Sequence, residues 1–356
     1  MKYVLITGSS GLVGSEAVKF FHNKKFKIIG IDNNFRKKFF GNTASVDWSK
    51  KYLQANFKNF KNYNIDISNY ERLKKIFKKY KNKINLIINC AAQPSHDWAK
   101  KNIQLDFKIN ALGTLNLLDL VNRYCRTSPF IQLSTNKVYG DTPNRIKLYE
   151  RPYRYDVRKS SKFYHGINDK MTIDNSVHSF FGVSKCSADL ITQEYGRNLG
   201  LYTVVYRLGC ITGPGHSGAE LHGFLSYLVK CNIKKKKYKI FGYKGKQVRD
   251  NIHSNDLIKA IWEFYKKPKK GVIYNLGGGR ENSCSVLEAI KLIEKESKIK
   301  FQYKILKKNR VGDHIWYISN NSKFKKDYKN WKIQKKLNLI IKEMVSSEFE
   351  KKNDNK

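Results

Sequence analysis

Three glycines in the opening stretch VLITGSSGLVGSEAV constrain this chain more than anything that follows. Gly8 and Gly11 follow a short apolar run, and Gly14 is the third residue of LVGSEAVKFFHNK, which has helical periodicity. Glycine lets a backbone turn tightly out of a strand and lie close to a ligand. A helix that opens there presents unpaired N–H groups and the positive end of its dipole. The group that suits such a turn is a pyrophosphate. A second strand, KIIGID, ends in Asp32, eighteen residues after Gly14, where a carboxylate accepts hydrogen bonds from a ribose diol. That carboxylate repels a 2′-phosphate, so the spacing predicts NAD rather than NADP, with Arg36 nearby as the one residue pulling the other way.

Beyond the glycines, strand and helix patterns alternate. FKIIGID, YNIDI, INLIINCAA, PFIQLST and LYTVVYRLG are short β-branched or apolar runs, with helix-like segments before and between them. This alternation predicts an α/β fold, a doubly wound parallel sheet with helices on both faces. After Gly213 the pattern loosens. GPGHSGAELHG reads as loop, VIYNLGGG as strand and turn, and SCSVLEAIKLIEKES as a helix capped by Ser285 with Glu288 three residues on. The stretch from Thr142 to Asn175 has weak periodicity and reads as a long loop, functional or mobile. The tail SSEFEKKNDNK reads as polar and frayed. The domain expectation is therefore residues 1–210 plus about 240–275 for the dinucleotide, and about 211–239 plus 276–345 for a smaller C-terminal substrate lobe. Residues 346–356 form a polar tail.

With 356 residues, 40% of them hydrophobic, there is ample material for a packed core. No apolar run is long enough for a membrane span, the N-terminus lacks a signal-peptide pattern, and the six cysteines form no C-x-x-C pair. Reduced thiols and a cytoplasmic location are expected. The net charge is +41, but only 13 of the 70 basic residues are arginine, and lysine is spread along the whole chain. Readers of nucleic acid gather Arg and Lys with interleaved aromatics. Compositional drift therefore explains the charge better than a nucleic-acid partner, while a diffuse positive field still attracts a phosphorylated substrate.

Four segments carry further chemistry. Thr135 ends a predicted strand in STNKVYGD, at the sheet edge where ligands bind in open α/β folds, and its hydroxyl suits a sugar oxygen. Lys185 lies in HSFFGVSKCSAD on a helix among small and apolar residues, four residues after Phe181. A packed lysine there can bind a cofactor ribose and lower a neighbour's pKa, but a phenyl ring has no proton to transfer. Arg249 in GKQVRDNIHSNDL suits a diphosphate, with Arg310 and Asp313 in NRVGDHIW as less specific companions. His96, His216 and His222 sit in loops without metal-ligand spacing, and no metal is expected.

Together, TGSSGLVGSEA, NCAAQPSHDWA, STNKVYGD, HSFFGVSK, GKQVRDNIHSNDL and YNLGGGRENSCSVLEAI resemble the extended short-chain dehydrogenase/reductase superfamily. Within it the likeness is to the CDP-paratose 2-epimerase family, over about residues 1 to 340. The resemblance implies a Rossmann-type domain holding NAD and a lobe for a nucleotide-diphosphate sugar, with a CDP-sugar favoured. It implies cofactor contacts at Gly8, Gly11, Gly14, Asp32, Asp66, Ile67, Ala91, Gln93 and Lys185. It further implies catalytic roles for Thr135 and Lys185, and substrate contacts at Thr135, Arg249, Arg310 and Asp313. The implied chemistry is transient oxidation of a ring hydroxyl to a ketone and return of the hydride on the other face. The departure is Phe181, where the family has the tyrosine that removes the hydroxyl proton. Tyr139, Tyr164, His96 and Cys210 are the possible replacements, unranked by spacing. The alternatives are a nucleotide-sugar dehydratase adapted to Phe181, and a catalytically silent NAD-binding protein that holds RNA. The resemblance also implies a homodimer or homotetramer, pairing through helices near residues 100–125 and 180–198.

Overall fold

The structure, a computed structural model, describes residues 2–218, 223–309 and 312–353, the side chains of Thr43 and Asn353 excepted. The chain divides into two compact units. The first comprises 1–138, 179–207 and 258–274, and the second 139–178, 208–257 and 275–356.

The first unit is built on a seven-stranded sheet. Its strands are β1 (Tyr3–Thr7), β2 (Lys27–Ile31), β3 (Phe60–Tyr63), β4 (Ile84–Asn89), β5 (Phe130–Thr135), β6 (Thr203–Leu208) and β7 (Val272–Leu276), in the spatial order β7-β6-β5-β4-β1-β2-β3. β1 pairs in parallel with β2 and β4, β2 with β3, and β4 with β5. The order reverses beside β1, the switch point where open α/β sheets bind ligands. Leu5, Ile29, Ile87, Leu117, Val121 and Phe130 share one buried cluster between sheet and helices, which is why the strands read as apolar runs rather than alternating ones. The helices that matter for the site are α1 (Leu12–Asn23), α2 (His96–Lys101), α3 (Gly113–Tyr124) and α4 (Phe180–Arg197).

Two sequence expectations shift here. YNIDI pairs only through Tyr63, because β2 ends opposite it at Ile31. Beyond that, Asp66 turns the chain by accepting from the Ser68 N–H at 2.8 Å, while Ile65 and Ile67 remain buried. A π-helical turn, Lys108–Leu112, leads into α3. Turns of this kind interrupt a helix where a side chain must be re-aimed.

In the second unit, the strand Val248–His253 lies at the centre of a small sheet. It pairs antiparallel with Ser283–Ser285 and parallel with Trp316–Tyr317 and Cys210–Thr212. Three helices, α5 (Phe224–Ile233), α6 (Val286–Ser297) and α7 (Leu337–Asn353), enclose a core that includes Leu228, Ile290, Ile293, Ile340 and Met344. The Ser285–Glu288 capping box of α6 forms as read from the sequence.

Segments 139–178 and 240–257, assigned by sequence to the dinucleotide domain, belong to this second unit. The reason is ionic. Asp156 takes both Arg280 nitrogens at 3.0 Å, accepts from the Trp316 indole, and lies beside Arg154. The stretch expected to be a functional or mobile loop contains a short hairpin, Tyr149–Glu150 against Tyr155–Asp156. The expected frayed tail is helical to Asn353, with Lys351 and Lys352 donating to the Pro214 and Ile233 carbonyls. Among the described residues no helix is long and apolar enough to cross a membrane.

Candidate active site

The glycine turn is as tight as its spacing suggests. Gly8 adopts φ +62°, and a Cβ there would stand 2.9 Å from the Ala91 nitrogen. A Cβ on Gly14 would stand 2.1 Å from the Gly8 carbonyl oxygen. α1 begins at Gly11 with no side chain capping it, so its first N–H groups are directed at whatever fills the turn. Asp32 caps the neighbouring loop, with one carboxylate oxygen accepting from Ser10 N and the other from Asn34 N, both at 2.8 Å. Burial pushes its carboxyl pKa up, and the hydrogen bonds from Asn34 and Ser10 pull it back. Ser10, Asp32, Asn33, Asn34, Asp47 and Lys50 line a hollow at this point. A cradle that excludes side chains, beside a carboxylate-lined hollow, fits the pyrophosphate and adenosine ribose of a dinucleotide.

The remaining cofactor candidates fall along the same edge of the sheet. Ile67 is buried, its carbonyl accepts from Asn116, and its side chain packs where Gly113 leaves space. Ala91 N donates to the Thr7 hydroxyl at 3.1 Å, which holds the loop after β4 against the glycine turn. Gln93 is fully buried, and its side chain amide serves the loop itself. It donates to Ser95 O and Asp106, and accepts from Ser95 N.

Thr135 lies on β5, and Phe181 and Lys185 lie on α4, which packs against that strand. The Lys185 ammonium donates to the Leu133 carbonyl at 2.7 Å, two residues before Thr135 on the same strand. The Thr135 hydroxyl sits at the strand's C-terminal end, partly exposed, and accepts from Lys137 N. Lys185 is only 4% exposed, and burial pushes its pKa down to about 8 against the opposing pull of Asp189, Asp106 and Cys90. Phe181 lies one turn earlier on α4, 6% exposed. α4 is itself anchored, because Arg207 grips Asp189 through two bonds of 2.9 and 3.0 Å, both side chains buried, and Ser134 donates to the same carboxylate.

Sequence reasoning missed a buried polar network beneath this face. Asn110 donates to Gln93 O, Asp106 and Ser184, and Ser184 donates to Asp106 at 2.5 Å. Burial raises the pKa of Asp106 while Ser184, Gln93 and Lys185 lower it. Two polar residues four apart within DFKINALGTLNLL were the available signal, and the π turn is what brings Asn110 to bear. Above the network stands His96. Its ring meets that of Phe181 edge-on at 4.9 Å, and its Nδ1 is 2.7 Å from the Ser179 hydroxyl.

In the second unit, Arg249 and Asp313 form an ion pair at 2.5 Å, and Arg249 also donates to its neighbour's carbonyl, Val248 O. His216 is buried, its carbonyl accepting from the Ser226 hydroxyl. Arg310 and His222 lie outside the described residues.

The sequence model of the NAD dependent epimerase/dehydratase family matches residues 4–277. The chain belongs to that family. NAD is the family's cofactor, and the geometry of the glycine cradle and Asp32 fits such a group. Among curated relatives, the CDP-paratose 2-epimerase of Salmonella typhi is 32% identical over 298 residues, covering 82% of this chain and 83% of the relative. The UDP-glucuronate 4-epimerase of Thermodesulfobacterium geofontis is 28% identical over 83% of this chain and 80% of its own length. A dTDP-glucose 4,6-dehydratase of Salmonella typhimurium is 25% identical over 81% of this chain and 77% of its own. Among solved structures, a Tyr-to-Phe mutant of the Bacillus cereus UDP-glucuronic acid 4-epimerase, in complex with a fluorinated UDP-sugar and NAD, superposes with a TM-score of 0.75. It is 21% identical, with 98% of this chain and 99% of the other covered. These likenesses place the chain among nucleotide-sugar epimerases and dehydratases with a Rossmann-type fold.

Proposed function

We propose that this protein is a nucleotide-sugar epimerase, most like a CDP-paratose 2-epimerase, working by transient oxidation of a ring hydroxyl and hydride return. The observation that carries this reading is the likeness to the Salmonella typhi CDP-paratose 2-epimerase along four-fifths of both chains. A bound nicotinamide supplies a reversible hydride acceptor, so net redox change is zero. Gly8, Gly11 and Gly14 hold the pyrophosphate, Asp32 the adenosine ribose, and Asp66, Ile67, Ala91 and Gln93 the flanking contacts. Lys185 holds the nicotinamide ribose and places a positive charge beside the reacting oxygen. Thr135 hydrogen-bonds that oxygen and polarises it as the carbonyl forms. Arg249 and Arg310 take the diphosphate of a CDP-sugar, and Asp313, paired with Arg249, is a further substrate contact. The first unit is thus the dinucleotide domain and the second the sugar-nucleotide lobe.

A dehydratase reading has specific support in the dTDP-glucose 4,6-dehydratases among the relatives. One experiment separates the two. Proton NMR of the protein with CDP-paratose and a panel of CDP-, UDP- and dTDP-sugars is expected to show a new epimer without net NADH. A 4-keto-6-deoxy product would make the protein a dehydratase, and silence across the panel would sink both.

A further inference from the structure

We propose that His96 is the proton carrier of this site, a role that rests on the proposed function. Oxidising a carbinol needs an acceptor for the hydroxyl proton as well as for the hydride, and Phe181 offers none. The His96 ring stands against the Phe181 ring at 4.9 Å between centroids. Its Nδ1 lies 2.7 Å from Ser179 Oγ, which also accepts the Gly182 N–H at 3.1 Å as the N-cap of α4. The imidazole is therefore tied to the first turn of the helix that carries Phe181 and Lys185.

From below, α2 is capped by Ser95, whose backbone is locked to the Gln93 amide, and Gln93 is locked to Asp106. A base held on both sides in this way keeps one orientation through both half-reactions. The Tyr139 hydroxyl is fully buried on Asn275 at 2.6 Å, the Tyr164 ring covers Arg280, and burial raises the Cys90 thiol far from neutrality.

In the tautomer that donates Nδ1–H to Ser179 Oγ, Nε2 carries the lone pair. The hydroxyl proton passes to Nε2 as the C–O double bond forms. Bound NAD would supply the acceptor for the carbinol hydrogen, which would leave with its electron pair as hydride. On return the hydride re-enters at carbon, Nε2 gives the proton back to oxygen, and imidazole and dinucleotide end as they began. The charged groups of the elements packed around His96 are Asp97, Lys100 and Lys101 on its own helix, Asp106 on the next, and Lys185, Asp189, Glu194 and Arg197 on α4.

The test combines His96→Gln, Phe181→Tyr and the double variant, each assayed on the sugar panel. It adds nitrogen-15 histidine NMR of the NAD-loaded wild type. The expected results are a loss of about 10²–10⁴-fold in kcat for His96→Gln, recovery to within about tenfold when Phe181→Tyr is added, and an Nδ1–H tautomer for His96. Recovery by the added phenol also shows that the single variant folds. Turnover within threefold of wild type in His96→Gln overturns the proton role while the epimerase reading stands. So does a wild type that turns over only after Phe181→Tyr. A ring protonated at Nε2 throughout the neutral range overturns it without reference to activity. No turnover in any variant overturns the epimerase reading and this proposal together.

Discussion

At Lys185 the cost of the site can be read from a single side chain. Its ammonium is buried, and its pKa falls from 10.5 to about 8 because burial outweighs the pull of Asp189, Asp106 and Cys90. The folded state thus holds this proton less tightly than the unfolded chain does. Unfolding takes up a proton between pH 8 and 10.5, so stability rises with pH across that window. At pH 7 the charge is a net liability. Lys185→Met is expected to stabilise the fold there by about 1–3 kcal/mol while removing turnover. Urea unfolding at pH 7 and pH 10 checks both halves, since the advantage of the methionine should shrink as the wild-type lysine sheds its proton. An advantage that holds constant with pH would mean the lysine is not the group that titrates.

At the level of elements, what positions the site is how α1 and α4 meet the sheet. Gly14→Ala puts a Cβ 2.1 Å from the Gly8 carbonyl, and neither backbone can yield easily. It should cost about 1–3 kcal/mol and leave the purified protein without NAD, which absorbance and a melting curve will show. α4 depends on the buried Asp189–Arg207 pair. Asp189→Ala strands the guanidinium and is expected to cost about 3–5 kcal/mol, whereas Asp189→Leu with Arg207→Met should recover part of it. A loss under 1 kcal/mol in urea for Asp189→Ala would show that α4 is held by its apolar contacts instead.

These two elements also mark the limit of what was legible beforehand. The glycine turn, the capping box of α6 and the apolar strands are local patterns and could be read directly. The Asp189–Arg207 pair, the bond from Ser184 to Asp106 and the Asp156–Arg280 pair join residues 18, 78 and 124 positions apart. No periodicity records such partners. That is why the stretch from Thr142 to Asn175 read only as a functional or mobile loop, and why His96 could be named as a candidate but not ranked.

At the scale of the whole molecule, two surface properties oppose each other. Ile103, Phe107, Leu112 and Leu115, on and before α3, are all at least 37% exposed, as are Phe180, Val183 and Leu190 on α4. So many exposed apolar side chains on two helices of one unit are unusual for a monomer and suit a helix-to-helix homodimer. Against that, each chain carries a formal charge of +41 spread along its length, so two copies repel before their apolar faces meet. The Debye length shrinks from about 30 Å at 0.01 M salt to about 8 Å at 0.15 M, and screening relieves the repulsion while leaving apolar burial nearly untouched. Dimerisation is therefore expected to strengthen as salt rises over that range, the reverse of an interface held by ion pairs. Light scattering across protein concentration at both ionic strengths measures it. Leu115→Lys and Val183→Lys should yield a single-subunit mass under both conditions with the melting temperature little changed. A wild type of single-subunit mass at 0.15 M salt and tens of micromolar protein would instead leave these side chains exposed, and the homodimer would have to be given up.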